Sequence, residues 1–211
     1  DKRDNFNVGA FNLGSTKIPK ALKLRAGPGW KPNIKIREKK PSLVDVFPGP
    51  GNLRRAISSA PSGSTIRLAG VTYEIEKAIR VEKEITIEGA SNGLTMLKSM
   101  EELENPFLYF FKVDEGGKLK IKNITFDALD QYSLKYALTS PSENQSGLYS
   151  IYADNCIFQN FKTKNGGSIF KAYSGTKADT LSFTNTRFED SYRGLNSVSY
   201  THLTLPTSRS V

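Results

Sequence analysis

The sequence predicts an all-β fold: a right-handed parallel β-helix opened by a short capping helix. Three observations predict it. One strand template recurs at a nearly fixed interval. Further short strands fill the interval between its copies. An amphipathic helical segment precedes the first strand.

The template reads apolar, x, apolar, x, Asn, x, x, Phe. Leu119, Ile121, Asn123 and Phe126 form one copy, Ile151, Ala153, Asn155 and Phe158 the next, and Leu181, Phe183, Asn185 and Phe188 the third. The copies start at 119, 151 and 181, so 32 and 30 residues apart. A repeat of this length marks stacked structural units. Alternation inside each copy is the period of a strand with one buried face. The Asn after each strand tolerates left-handed backbone, and its side chain can bond its counterpart in the next unit. Such a row of Asn123, Asn155 and Asn185 reads as a structural ladder rather than as ligands.

Phe107 to Val113 lies before Leu119, Ala137 and Leu138 before Ile151, and Ile169 to Tyr173 before Leu181. A looser early unit comprises Ile66 to Leu68, Tyr73 to Ile75 and Ile85 to Gly89. Several short strands per unit with no helical pattern between them suit coils that stack and bury a continuous interior. An antiparallel sandwich is the competitor. It needs hairpin signals between neighbouring strands, and Gly116 with Gly117 and Gly166 with Gly167 are the available pairs.

Leu53, Ala56, Ile57 and Ala60 are spaced as one helical face, with Asn52 as the expected N-cap and Pro61 as the stop. A short helix here covers the open end of a strand stack, where bare edges invite aggregation.

The chain carries a net charge of +9 and one cysteine, Cys156, which excludes an intramolecular disulfide and reads as a small core residue. No apolar run approaches the ~18 residues of a membrane span. Between residues 17 and 40 nine Lys and Arg side chains face one acid, Glu38, and Gly27, Pro28, Gly29 and Pro32 break regular structure. Residues 1–44 read as the tail of a preceding domain with a basic linker, and residues 45–197 as the cap and first coils of the β-helix. The basic excess favours polyanionic partners. Nucleic acid is not expected, because no binding motif is present and most aromatics occupy core strands.

Residues 198–211 stand apart. Val198 to Thr207 is the translation of GTC TCT TAT ACA CAT CTG ACG CTG CCG ACG, which resembles the adapter of a transposon-based sequencing library. The segment is read as a non-native tail and excluded from fold reasoning. It holds the only histidine, His202. With a first residue that is not Met, the chain is expected to be a fragment of a longer protein.

The spacing of Ala56, Ile57, Ala60, Gly63, Ile66, Leu68 and Tyr73 resembles the opening of pectin-lyase-like β-helix proteins. Asn155, Cys156, Phe158 and Phe161, followed by Gly167, Phe170, Lys171, Tyr173, Gly175, Thr176, Ala178, Asp179 and Thr180, resemble the chondroitinase-B-like lyases, polysaccharide lyase family six, which includes alginate lyases. The likeness covers roughly residues 45–197. Some members carry two β-helices in tandem with the catalytic one first, so this chain resembles the opening of the second.

The resemblance implies a secreted, periplasmic or cell-surface bacterial lyase that cleaves acidic polysaccharide by β-elimination. Such chemistry removes the C5 proton of a uronate and expels the C4 oxygen, with the carboxylate neutralised by calcium or basic side chains. A Lys base, an Arg beside the leaving group and Asn and Glu calcium ligands are implied. Lys171 and Arg193 are the candidates for catalysis, Arg187 and Tyr173 for substrate binding. Lys171 alternates with Phe170, a position that equally suits a solvent-facing side chain. Glu189 and Asp190 are the nearby carboxylates and read as a solvated turn. No calcium set is evident, so no cofactor is expected in this stretch, and any calcium belongs to the parent's catalytic domain. The expectation is an accessory β-helix, inactive alone. The alternative is a non-catalytic carbohydrate-binding or surface-adhesion β-helix.

Overall fold

A computed structural model describes residues 39–100, 107–130, 134–145, 147–162 and 167–196, together with the backbone of 203–204. One compact unit begins at Lys39. The basic segment, residues 17–38, and His202 lie outside the described residues.

Chain order opens with β1 (Leu43–Val46), α1 (Asn52–Ser59), β2 (Ser64–Leu68), β3 (Thr72–Ile75), β4 (Ile79–Val81), β5 (Glu84–Glu88) and β6 (Met96–Ser99). It continues with β7 (Tyr109–Val113), β8 (Lys118–Lys122), β9 (Thr125–Asp127), β10 (Tyr136–Thr139), β11 (Leu148–Asp154) and β12 (Ile157–Gln159). It closes with β13 (Ser168–Lys171), β14 (Lys177–Thr184), β15 (Arg187–Glu189), β16 (Leu195–Asn196) and β17 (Leu203–Thr204).

These strands form three parallel sheets. Sheet 1 orders β1-β2-β5-β8-β11-β14-β17, sheet 2 orders β15-β12-β9-β6-β3, and sheet 3 orders β16-β13-β10-β7-β4. The chain visits sheets 1, 2 and 3 in turn and returns one level up. This is a parallel β-helix, and the expected fold holds. Gly116 with Gly117 does not make a hairpin, and Gly166 lies outside the described residues. Gly116, at φ 75°, and Gly117 turn the corner from sheet 3 to sheet 1, and a Cβ on Gly117 would lie 2.3 Å from the Val81 carbonyl oxygen. No other residue fits that approach.

The interior follows from the template. Ile85, Leu119, Ile151 and Leu181 are in register across sheet 1 and fully buried. Phe126, Phe158 and Phe188 are in register across sheet 2. The rings of Phe126 and Phe158 stack at 4.7 Å, and Phe188 lies 6.0 Å beyond. Each buried apolar side chain of this size contributes about 1.5–3 kcal/mol.

Sheet 3 departs from strict alternation. Phe110 with Phe111, Ala137 with Leu138, and Ile169 with Phe170 are adjacent buried pairs in three successive strands. The irregularity is stacked level upon level, so it is a property of the corner rather than a local defect.

Helix α1 buries Leu53 and Ile57 and packs on β1 and β4. Its N-cap is Gly51 at φ 66°, not Asn52. Asn52 is already helical, and its Nδ2 donates to the Phe47 carbonyl, tying the loop after β1 to the helix. Glycine reaches the left-handed conformation at this entry without steric cost, which displaces the cap by one position. Among the described residues no helix is long and apolar enough to cross a membrane.

Candidate functional site

Parallel stacking places outward side chains in columns, and the three sheets differ in how those columns are charged. On sheet 1, Asp45, Arg67, Glu88, Lys122, Asp154 and Thr184 lie side by side. The sign alternates along the first five. Arg67 binds Asp45 with Nε at 2.6 Å and Nη2 at 3.0 Å, and this hydrogen bond holds the Asp45 carboxyl below its usual range. Lys120 reaches Glu84 at 2.7 Å and lowers that carboxyl in the same way. Exposed pairs of this kind add little to stability, but they leave the face without net field.

Sheet 2 is the more acidic. Its column is Glu74, Lys98, Asp127, Gln159 and Glu189. Lys98 pairs with Glu74 at 3.1 Å. Asp127 is buried and accepts from the Leu129 N–H, from Gln159 and from Asn160 at 2.8–2.9 Å.

Sheet 3 is different. Its column is Arg80, Lys112, Thr139, Lys171 and Asn196, with three cations and no anion. Two acids lie beside its lower end. Asp114, with 9% of its side chain exposed, accepts from Arg80 Nε at 2.8 Å and stands 3.7 Å from Lys112 Nζ. Glu82 lies 3.4 Å from Arg80. Lys112 also donates to Ser142 Oγ. Lys171 is half-buried and has no ion-pair partner among the described residues.

Tyrosines border the column. Tyr109 and Tyr136 are in register. Burial pushes the phenols of Tyr109 and Tyr173 up, helped at Tyr109 by the charge of Asp114 and at Tyr173 by Tyr136. The backbone of Tyr173 is fixed by its N–H bond to Ser140 Oγ at 2.8 Å.

The structure therefore places Lys171 on sheet 3 and Tyr173 two residues beyond the end of β13. Arg193 sits just before β16, where its carbonyl accepts from the Ile169 N–H and its guanidinium lies 5.2 Å from the Tyr192 ring centre. Arg187 is elsewhere. It stands on sheet 2, 3.3 Å from Glu189, and lines an open cleft of about 480 Å³ with Asn123, Asn155 and Asn185. Asp190 is 3.5 Å from Lys162. Sequence reasoning missed Arg80, Lys112, Tyr109 and Tyr136. The recurring pairs Phe111-Lys112 and Phe170-Lys171 were the available signal for Lys112. Arg80 lies in a three-residue strand too short to show periodicity.

No three His, Cys, Asp or Glu side chains converge among the described residues. Of the two buried carboxylates, Asp127 is held by three donors, and Asp114 by Arg80 at Oδ2, while its Oδ1 has no hydrogen bond and stands 3.7 Å from Lys112 Nζ.

No protein-family model matches the chain, and no curated protein does. Solved structures do. The PL6 family alginate lyase AlyGC and a point mutant of it align with TM-score 0.61 and 19% identity, over 76–77% of this chain and 22% of theirs. The chain thus shares the β-helix fold of these alginate lyases and spans about a fifth of their length.

Proposed function

We propose that this chain is part of a secreted polysaccharide lyase that cleaves an acidic, uronate-containing polysaccharide such as alginate by β-elimination. In this reading the β-helix is an accessory module that holds the polymer on sheet 3. The observation that carries it is the column of Arg80, Lys112 and Lys171, which has no acid in it, while the corresponding column of sheet 1 alternates in sign and that of sheet 2 holds three acids and one cation. A polyuronate presents one carboxylate per residue, and a row of cations along the helix axis matches that repetition. Partly buried tyrosines beside the cations supply ring faces and hydroxyls. The likeness of fold to alginate lyases supports the choice of polymer.

Affinity electrophoresis in alginate-loaded gels tests the binding. The chain is expected to be retarded at low salt and released at high salt. Lys171→Glu and Lys112→Glu should abolish the retardation, while Arg187→Glu on sheet 2 should retain it. Equal retardation of all three variants would remove sheet 3 from the reading. Absorbance of the unsaturated uronate product tests the accessory role, and the chain alone should produce none. Product formed by the chain and lost in Lys171→Ala or Arg193→Ala would make it catalytic.

A further inference from the structure

A second cleft, of about 550 Å³, opens at the corner between sheets 1 and 2 on the first coils, away from sheet 3. This volume falls in the ~300–1,000 Å³ range of small-molecule sites. Its cause is a break in the Asn ladder. Glu88 and Lys122 are paired, so the residue below Asn123 is Gly89, whose N–H bonds the Lys122 carbonyl. A Cβ on Gly89 would lie 2.2 Å from the Asn123 carbonyl oxygen, so no side chain can continue the ladder there. Ala69 and Ala90 complete a floor of small residues.

Two consequences follow. Asn123 spends its Oδ1 on Asn155 and has no rung below, which leaves its Nδ2 as a donor at the end of the cleft. Across the floor stands Phe47, 72% exposed, although its backbone is tied to α1 through Asn52. The ring is thus held in solvent on an anchored loop at the rim of the cleft. Between the two, Asp45, Arg67 and Glu88 form one wall.

We infer that this cleft is a binding subsite for an uncharged pyranose residue of a polysaccharide. The Phe47 ring offers its electron-rich face to the C–H face of a sugar. The Asp45 and Glu88 carboxylates accept from hydroxyls, and Arg67 and Asn123 donate to hydroxyl or ring oxygens. Arg67 is spent on Asp45, and Lys122 stands in register with Glu88, so the wall has no net charge and no free cation to neutralise a uronate carboxylate. The inference stands on different residues from sheet 3 and on a charge-balanced wall, so it does not depend on the polyuronate reading.

Titration of the ¹⁵N-labelled full chain with mannotetraose, cellotetraose and galactotetraose, followed by amide chemical shifts, tests it. At least one of these is expected to move the signals of Phe47, Gly89, Ala90 and Asn123, equally at low and high salt. Phe47→Ala should weaken that affinity at least ~10-fold, and Phe47→Trp should retain it, with unchanged spectra elsewhere showing that both variants fold. No shift with any of the three neutral sugars would overturn the inference. So would an unaltered affinity in Phe47→Ala, or a tetrauronate that moves the same four signals as strongly. None of these outcomes bears on retardation by alginate through Lys112 and Lys171.

Discussion

Asn155 donates from its side-chain Nδ2 to Oδ1 of Asn123 across 2.9 Å, and both residues hold left-handed backbone, at φ 51° and 57°. One residue type thus serves two needs at each corner between sheets 1 and 2. It accepts a conformation that costs most L-residues about 1–2 kcal/mol, and it ties one coil to the next. Asn185, at φ 49°, keeps the backbone role but donates to Asp154 Oδ1 at 3.0 Å instead. Asn155→Ala should destabilise the fold by about 1–3 kcal/mol, the sum of backbone strain and one hydrogen bond. Asn155→Gly should cost less, because it loses only the bond. Urea unfolding measures both, and a glycine variant less stable than the alanine variant would contradict the strain argument.

The aromatic column yields a second expectation. Phe158 is fully buried and stacks on Phe126 with an interplanar angle of 11°, whereas Phe188 at the end of the column is 38% exposed. Phe158→Ala should cost about 3–5 kcal/mol, the range for a buried Phe whose cavity cannot collapse. Phe188→Ala should cost less than half as much. Chemical denaturation of the two variants side by side gives the comparison.

The fold was legible because a β-helix writes its interior as a repeat. Leu119, Ile151 and Leu181 occupy one column and announce themselves by spacing alone. The strands that escaped notice are β1, β4, β6 and β16, of two to four residues, where period-2 alternation has no room to register. The cap was displaced because Gly51 and Asn52 both suit a helix start, and only the left-handed turn at Gly51 decides between them. The candidate site was less legible. Lys171 and Tyr173 were found through resemblance, but their neighbours Lys112 and Tyr109 lie roughly sixty residues earlier in the chain. Register across β7, β10 and β13 brings them together, and no local pattern encodes that register. The separation of Arg187 from Lys171 has the same origin: they follow one another closely in sequence but turn onto different sheets.

Cys156 gives a pH-dependent expectation. Its thiol is buried and donates toward the Asp154 carbonyl at 3.4 Å, and burial pushes its pKa up from 9.0 to about 12. Below pH 9 the thiol is protonated in both folded and unfolded chains and contributes nothing to pH dependence. Above pH 9 the unfolded chain releases the proton while the folded chain keeps it, so stability falls as pH rises toward 12. The slope for one such group is about 1.4 kcal/mol per pH unit. Denaturation midpoints of the native chain and of Cys156→Ala, compared from pH 8 upward, isolate this term from other titrating groups. The native chain should lose stability more steeply. Parallel curves would show that the thiol ionises in place.

The tail gives the last expectation. Residues 198–211 read as non-native sequence, yet Leu203 and Thr204 pair with Leu181 and Ser182 at the open edge of sheet 1. Pairing of this kind needs only an available backbone, because an exposed edge strand presents unpaired N–H and C=O groups to any extended segment that reaches it. Two residues supply few hydrogen bonds, and water replaces those at an exposed edge. The columns that hold the core together are complete without them, since Leu181 and Phe183 already pack on Ile151 and Ala153. Removing residues 198–211 should therefore change stability by no more than ~0.5 kcal/mol, the usual range for surface changes. Thermal and urea unfolding of the chain ended at Ser197 measure this. A loss above ~2 kcal/mol would instead mark the segment as an integral coil of the β-helix.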